Sequence, residues 1–148
     1  MESIKAIIVD DEKNNRLALH KLIEKFCPQV TVIAECDSVD SAISFIDSNP
    51  TDVVFLDVEM PGKNGFELLA NYNYQCPFEV IFTTAYSQYA IKAIKFSALD
   101  YLLKPIDSEE LKMAVAKAKE HSKENDLSKI ETLISNFKLK SDRKKIAL

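Results

Sequence analysis

Short apolar runs alternate along the chain with stretches in which apolar residues recur every three or four positions. The five runs span residues 4–9, 30–34, 53–56, 80–83 and 99–103. Most of them are continuously apolar rather than alternating, which is typical of parallel strands buried on both faces. They predict the strands of a parallel β-sheet.

Helical periodicity occupies the segments between the runs. Apolar residues fall at i, i+3, i+4 and i+7 from Leu19, from Val39 and from Leu111, which is the pattern of a helix with one buried face. Ser38 and Ser108 stand just before the second and third of these patterns. Serine is a favoured N-cap residue, and we expect helices to begin after both.

Five strands alternating with five helices, one of them over 87–96, predict a doubly wound α/β sheet. We expect this domain to span residues 1–122. Residues 123–148 are then a linker that holds an amphipathic helix over 127–137, where apolar residues recur with 3–4–3 spacing. That helix can pair with a partner chain or pack back on its own domain.

The composition is that of an ordinary globular protein. Of the 148 residues, 47% are apolar and 28% are charged, and no segment has the pattern of a membrane span or a secretory signal. We therefore expect a cytoplasmic protein with no membrane contact. The cysteines, Cys27, Cys36 and Cys76, are odd in number and lack CxxC spacing. They argue against a disulfide framework or a zinc site, and we expect small buried hydrophobes.

Charge is unevenly divided along the chain, although the net charge is only −4. Residues 1–125 carry 13 basic and 20 acidic side chains, whereas residues 126–148 carry 6 basic and 3 acidic ones. An acidic domain is not typical of a nucleic-acid binder. The basic tail is explained by a solvated linker.

Polar residues follow four of the five predicted strands at the point where each strand ends. Asp10 and Asp11 follow the first run, Asp57 the third, Thr84 the fourth and Lys104 the fifth. Ligands bind at the carboxyl ends of the strands in open α/β sheets. The sequence therefore predicts that these side chains converge on one edge of the sheet.

Each of these residues also has an ordinary explanation. Asp10 or Asp11 can cap the first helix, Asp57 can begin a turn, Thr84 suits a strand, and Lys104 can simply be exposed. Their recurrence at equivalent strand ends favours a shared site.

Clustered carboxylates repel one another unless a cation lies between them. Mg²⁺ prefers oxygen ligands and suits one or two carboxylates together with phosphate oxygens. A carboxylate between the metal and an ammonium group can attack phosphorus and form an aspartyl phosphate, and Lys104 can supply that ammonium group. Thr84 can then hydrogen-bond a phosphoryl oxygen.

The segments that carry these residues resemble the receiver domain of two-component response regulators, which has a CheY-like form of the flavodoxin-like fold. The matching segments, in order, are "IIVDDE", "VVFLDVEMPGKNGFELL", "VIFTTAY" and "DYLLKPID". They lie within about residues 4–121. Residues 82–107 are most similar to regulators with a LytTR-type (LytR/AlgR) DNA-binding domain, and the final "RKKIAL" resembles the opening strand of that domain.

The resemblance implies a role for each site residue. Asp57 is the phosphoacceptor. Mg²⁺ is bound directly by Asp11, Asp57 and the backbone carbonyl of Glu59, and mainly through water by Asp10. Lys104 pairs with the phosphate.

Two further positions match the parts of this family that change conformation. Thr84 is the switch hydroxyl, and Tyr101 is the aromatic switch residue, a half-buried ring that turns inward when Thr84 moves. The peptide bond between Lys104 and Pro105 is expected to be cis, which proline allows at small cost. Glu59 and Tyr86 stand two residues after Asp57 and Thr84, where both side chains can overhang the site.

The implied function is a phosphorylation-controlled switch rather than an enzyme, although the domain assists its own phosphorylation and dephosphorylation. A sensor histidine kinase or phosphorelay protein donates the phosphoryl group to Asp57. The change then controls dimerisation through the 87–121 face, the 127–137 helix or both. DNA is contacted only through an output domain outside this chain, for transcription regulation.

Two alternatives belong to other classes of protein. One is a stand-alone or constitutive interaction module in which the site is present but unused. The other is an aspartyl-phosphate phosphohydrolase of the haloacid dehalogenase type. That family places its acids in a DxD motif after the first strand, whereas Asp10 and Asp11 are adjacent, so this alternative is less favoured.

Overall fold

The structure is a computed structural model that describes residues 3–86, 98–121 and 134. The chain divides into two compact units, Met1–Ala118 and Lys119–Leu148. The elements are β1 (Ile4–Val9), α1 (Lys13–Phe26), β2 (Val30–Cys36), α2 (Val39–Ser48), β3 (Val53–Asp57), α3 (Gly65–Asn71), β4 (Glu79–Thr84), β5 (Asp100–Leu103) and α4 (108–121).

All five strands form one parallel sheet in the order β2-β1-β3-β4-β5. This order confirms the predicted doubly wound sheet. Within the ranges that the structure describes, four of the five expected helices are present. The expected helix over 87–96 and the strand start in "RKKIAL" lie outside the described residues, and so does the expected helix over 127–137 apart from residue 134.

The sheet is buried on both faces, which explains why its strands are continuously apolar. Ile7 and Val9 of β1 belong to a core cluster with side chains of α2 and α3. Ala6 and Ile8 point the other way and pack with side chains of α1 and α4. All residues of β3 are buried, and this strand lies between β1 and β4. The carboxyl end of β3 is therefore held firmly from both sides.

One predicted helix cap is confirmed and the other is wrong. Ser38 forms a reciprocal capping box with Ser41 at the start of α2. At α4, Ser108 is already helical, and the carboxylate of Asp107 accepts a hydrogen bond from the Glu110 N–H at 3.0 Å. A negative charge is favoured at a helix N-terminus, so the preceding aspartate takes the position expected for the serine.

The described part of the chain holds no helix that is long and apolar enough to cross a membrane. All three cysteines are free thiols, and Cys27 and Cys36 are buried as expected. Cys76 is half-buried, and burial, followed by the charge of Glu79, raises the pKa of its thiol to about 11. This thiol therefore stays protonated at neutral pH.

Gly65 lets α3 begin in direct contact with the end of β3. A Cβ atom at this position would lie 2.5 Å from the carbonyl oxygen of Asp57 and 3.2 Å from Cγ of Leu56. The Gly65 N–H also donates to the carbonyl of Val58 at 2.9 Å. The glycine thus allows a helix to support the strand end that carries the candidate phosphoacceptor.

Replacing Gly65 with alanine should destabilise the domain. The new methyl group must displace backbone atoms of Asp57, and overpacking of this kind costs about 1–3 kcal/mol. Urea denaturation followed by far-ultraviolet circular dichroism measures the change in the free energy of unfolding.

Gly62→Ala is the matched control, because Gly62 has a φ of +79° but no atom within 4 Å of a Cβ. It should cost stability through backbone strain alone, and leave the amide NMR shift of Asp57 unchanged. A Gly65→Ala protein as stable as the wild type, with an unshifted Asp57 amide, would contradict this account.

Candidate functional site

Three carboxylates meet at the carboxyl ends of two neighbouring strands. Asp10 and Asp11 follow β1, and Asp57 ends β3. Since Val9 and Leu56 are partners in this parallel pair, the residues after them are brought side by side. One oxygen from each carboxylate lies within 4.8 Å of the others. Asp10 and Asp57 are buried and Asp11 is exposed, which leaves the cluster open on one side.

Lys104 brings a positive charge to this cluster from the end of β5. Its Nζ atom lies 2.7 Å from Oδ2 of Asp10 and 3.4 Å from Oδ1 of Asp57. The Lys104 N–H donates to the carbonyl of Thr84 at 2.8 Å, and the peptide bond to Pro105 is cis, as expected. One ammonium group among three carboxylates leaves the site with an excess of negative charge.

Asp10 is held at both its backbone and its side chain. Its N–H donates to the carbonyl of Cys36 at 3.0 Å, and its Oδ1 accepts from the N–H of Glu12 at 2.9 Å. The N-cap residue of α1 is Glu12, whose side chain makes no capping bond. The explanation of Asp10 or Asp11 as a helix cap is therefore wrong, because Asp10 instead closes an Asx-type turn before the helix.

The protonation of Asp57 reflects its burial among like charges. Burial raises the pKa of Asp57 to about 6; the charge of Lys104 acts to lower it, and the charges of Asp10 and Asp11 raise it. For Lys104, burial acts to lower the pKa, but the hydrogen bond to Asp10 and the charge of Asp57 outweigh it, and the pKa is raised. The lysine thus stays charged, while the aspartate is costly to ionise without a further cation.

Thr84 ends β4, the strand next to β3, and Tyr101 lies on β5, the strand beyond β4. Thr84 is buried, and its Oγ1 accepts a hydrogen bond from the N–H of Tyr86 at 3.0 Å. Its hydroxyl is thus engaged by the loop after β4. Tyr101 is half-buried against the apolar cluster on the α2 and α3 side of the sheet.

The side chain of Glu59 is exposed. The metal-ligating role of its backbone carbonyl stays a prediction. Tyr86 is 46% exposed, so its ring reaches solvent beside the site.

Among the residues that the structure describes, Arg16 lies near the site but was not predicted from the sequence. Its Nη1 donates to the backbone carbonyl of Asp10 at 2.7 Å. A usable signal was present, since a basic residue stands one turn inside the helix that follows the acidic pair. The contact that fixes its direction involves Glu35 on β2, which spacing along α1 does not reveal.

Comparisons with known proteins agree with the fold. The family model for the response regulator receiver domain matches residues 6–116. The chain belongs to this family. The receiver domain therefore has the fold that the resemblance implied.

Curated relatives of the receiver domain are signalling and regulatory proteins. The sensory transduction protein LytT of Bacillus anthracis is 40% identical over 118 residues, which are 78% of this chain and 47% of that protein. The transcriptional regulatory protein BtsR of Escherichia coli strain K12 is 34% identical over 125 residues, 84% of this chain and 52% of that protein. The chain thus spans about half the length of these relatives, and the LytT match confirms the resemblance to LytTR-type regulators.

Solved structures show the same architecture. The receiver domain of AraT, a response regulator from Geobacillus stearothermophilus, superposes with a TM-score of 0.72 at 32% identity. The match covers 83% of this chain and 98% of that one.

Replacing Asp57 with asparagine should stabilise the metal-free receiver domain at neutral pH. The ordinary pKa of 3.8 applies in the unfolded chain and about 6 in the folded one, so the folded state holds its proton more tightly. Stability linked to Asp57 is therefore lost as pH rises from about 4 to about 6. Above that range the free energy of unfolding of Asp57→Asn should exceed that of the wild type by about 1–3 kcal/mol. Near pH 3.5 the two proteins should be almost equally stable.

Urea denaturation in the presence of a chelator, at a series of pH values, measures this difference. Asp52→Asn is the matched control, because Asp52 is exposed and precedes the opposite end of the same strand. A gain that does not change with pH, or that appears equally in the control, would show that burial of the Asp57 charge is not its cause.

Proposed function

We propose that this receiver domain accepts a phosphoryl group on Asp57 in a Mg²⁺-dependent reaction. The observation that carries the proposal is the cluster of Asp10, Asp11 and Asp57, whose carboxylate oxygens lie within 4.8 Å of one another. Lys104 bridges two of the three. Carboxylates gathered at a buried strand end repel one another unless a cation lies among them, which favours a metal-dependent role for the cluster.

The donor set fits a hard divalent cation. Mg²⁺ takes carboxylate oxygens, retains several waters and commonly shares its shell with phosphate. Asp11, Asp57 and the carbonyl of Glu59 would hold it directly, and Asp10 through water. When bound, the metal neutralises the carboxylates and the phosphoryl oxygens, which is the main requirement of phosphoryl transfer.

The transfer itself needs a carboxylate nucleophile in line with the leaving group. An ionised oxygen of Asp57 attacks phosphorus and forms the new P–O bond, while the P–N bond of the donor phosphohistidine breaks. The electron pair of that bond stays on the imidazole nitrogen, which takes up a proton. Lys104 is already beside Asp57, so its ammonium group can follow the charge to the phosphoryl oxygens.

The switch follows from the new charge on Asp57. A phosphoryl group adds about −1.5 to −2 charge at neutral pH and three strong acceptors. The Thr84 hydroxyl leaves the N–H of Tyr86 and bonds a phosphoryl oxygen, and the half-buried ring of Tyr101 turns inward. The face over 87–121, with or without the 127–137 helix, then binds a second copy or an effector.

The relatives support the partners and output of this switch. A receiver domain implies a sensor histidine kinase or a phosphorelay protein as donor. The names of LytT and BtsR describe sensory transduction and transcriptional regulation. We therefore propose that the domain controls a DNA-binding output that lies outside this chain.

Incubation with a small acyl phosphate and Mg²⁺ should add one phosphoryl group to the protein. Asp57 should be its only acceptor, because burial beside Lys104 and the metal favours attack there. Intact-mass spectrometry measures the adduct, and excess chelator should abolish it.

Asp57→Asn should give no adduct, whereas the control Asp52→Asn should react like the wild type. An equal adduct on Asp57→Asn would mean that another side chain is the acceptor. Repeated turnover of an external phosphomonoester would favour a phosphohydrolase instead.

Replacing Thr84 with alanine should separate phosphorylation from the conformational switch. The variant keeps Asp57 and Lys104, so the mass adduct should still form. Beryllofluoride mimics the phosphoryl group on Asp57, and with the wild type it should raise the molecular mass measured by light scattering. Thr84→Ala lacks the hydroxyl that must bond the phosphoryl oxygen, so this rise should be absent.

Thr84→Ser restores the hydroxyl and should restore the response. A wild-type protein that is equally dimeric with and without beryllofluoride would favour the constitutive interaction module. A Thr84→Ala protein that still responds would remove Thr84 from the switch.

A further inference from the structure

Arg16 lies between the acidic site and the neighbouring edge strand. Its side chain is 16% exposed, and its Nε lies 3.6 Å from Oε1 of Glu35 on β2. Its Nη1 donates to the backbone carbonyl of Asp10 at 2.7 Å. The guanidinium group therefore links the strand β2 to the main chain of the acidic turn.

The carbonyl that Arg16 contacts belongs to the peptide bond between Asp10 and Asp11. The N–H on the other side of Asp10 is already bonded to the carbonyl of Cys36. Fixing both the N–H and the carbonyl of a residue fixes the direction in which the chain leaves it. Arg16 thus fixes the orientation of the peptide from which the Asp11 side chain extends, although its own contact is with the Asp10 backbone carbonyl.

Glu35 is itself held in place from α1. Its Oε2 lies 2.9 Å from Nδ1 of His20, and Nε2 of the same ring lies 2.9 Å from Oε1 of Glu24. These polar contacts therefore form a continuous row, from the backbone carbonyl of Asp10 through Arg16, Glu35 and His20 to Glu24. Glu35 is only partly exposed, so it offers Arg16 a firm anchor rather than a freely moving one.

We propose that Arg16 is a positioning residue for the metal site: it fixes the Asp10–Asp11 peptide so that both carboxylates meet Asp57. The inference rests on the proposed function, because it assigns Arg16 to the Mg²⁺ site described there. Arginine suits the task, since its rigid planar fork can bond two partners in different directions. Lysine would supply the charge but could not hold the Asp10 carbonyl and Glu35 in the same way.

Positioning and electrostatics predict opposite effects of Arg16 on Mg²⁺ affinity. A positive charge close to a cation site opposes cation binding, so charge alone predicts that removing Arg16 would tighten Mg²⁺ binding. Positioning predicts the opposite sign. The direction of the change in affinity therefore distinguishes the two roles.

Arg16→Gln should bind Mg²⁺ about tenfold more weakly, at the low end of the range for partners that orient metal ligands. Isothermal titration calorimetry measures the affinity. The rate of phosphorylation by a small acyl phosphate should fall at low Mg²⁺ and return to the wild-type rate at saturating Mg²⁺. Arg16→Lys should stay weak, because it restores the charge without the fork.

Lys21→Gln is the matched control, since it also removes one positive charge from α1 at an exposed position. It should leave the Mg²⁺ affinity unchanged. Glu35→Gln should weaken binding in the same direction as Arg16→Gln, and the double variant should add little to either. Tighter or unchanged binding in Arg16→Gln would overturn the inference, as would a fall in urea stability without a change in affinity.

Hydrogen exchange in metal-free protein gives a readout that does not depend on the metal. The N–H of Glu12 is bonded to the Asp10 carboxylate, so its exchange reports whether the turn is held. Exchange should be faster in Arg16→Gln than in Lys21→Gln. A wild-type protein that binds no Mg²⁺ would overturn the proposed function. Faster exchange of the Glu12 N–H in Arg16→Gln would then still show that Arg16 holds the turn. Unchanged exchange in that case would overturn the positioning role of Arg16 as well.

Discussion

The repulsion among three carboxylates at one edge of the sheet is the constraint on which this molecule depends. Parallel pairing of β1 with β3 through Val9 and Leu56 brings Asp10 beside Asp57. Asp10 is also bonded to the carbonyl of Cys36, and Asp57 is paired with Thr83 on β4. Lys104 offsets part of the repulsion through contacts to both, but one ammonium group cannot neutralise three acids. The fold thus keeps an unbalanced negative site, which a divalent cation can occupy and balance.

The packing around the end of β3 holds these charges together against their repulsion. Strand β3 is buried along its whole length, and α3 is brought against its end by Gly65. The sheet order reverses between β1 and β3, where a crevice opens in doubly wound folds. Stability from the core therefore offsets the cost of ionising Asp57, as is common where a functional site breaks a local rule.

Strands and site positions could be predicted because both depend on short stretches of sequence. A continuous apolar run followed by an acid, such as "IIVDD", predicts both a buried strand and the carboxylate at its carboxyl end. Features that depend on contacts between distant segments could not be read in this way. Strand β2 continues to Cys36 because that residue pairs with Val9, and Arg16 acquires its role only through Glu35. Asp107 rather than Ser108 caps α4. Both are favoured cap residues and they are adjacent, so the sequence alone could not decide between them.

Lys104 connects the charge state of the site to the part of the fold that would move. Its Nζ contacts the acids, while its backbone N–H is bonded to the carbonyl of Thr84. Under the proposed function, a phosphoryl group on Asp57 draws the ammonium group away from Asp10 and draws the Thr84 hydroxyl inward. Thr84 is the last residue of β4, and Lys104 directly follows the neighbouring strand β5. One new charge therefore acts on two bonded strand ends together, and Tyr101, three residues before the lysine, lies on β5, the strand that Lys104 follows.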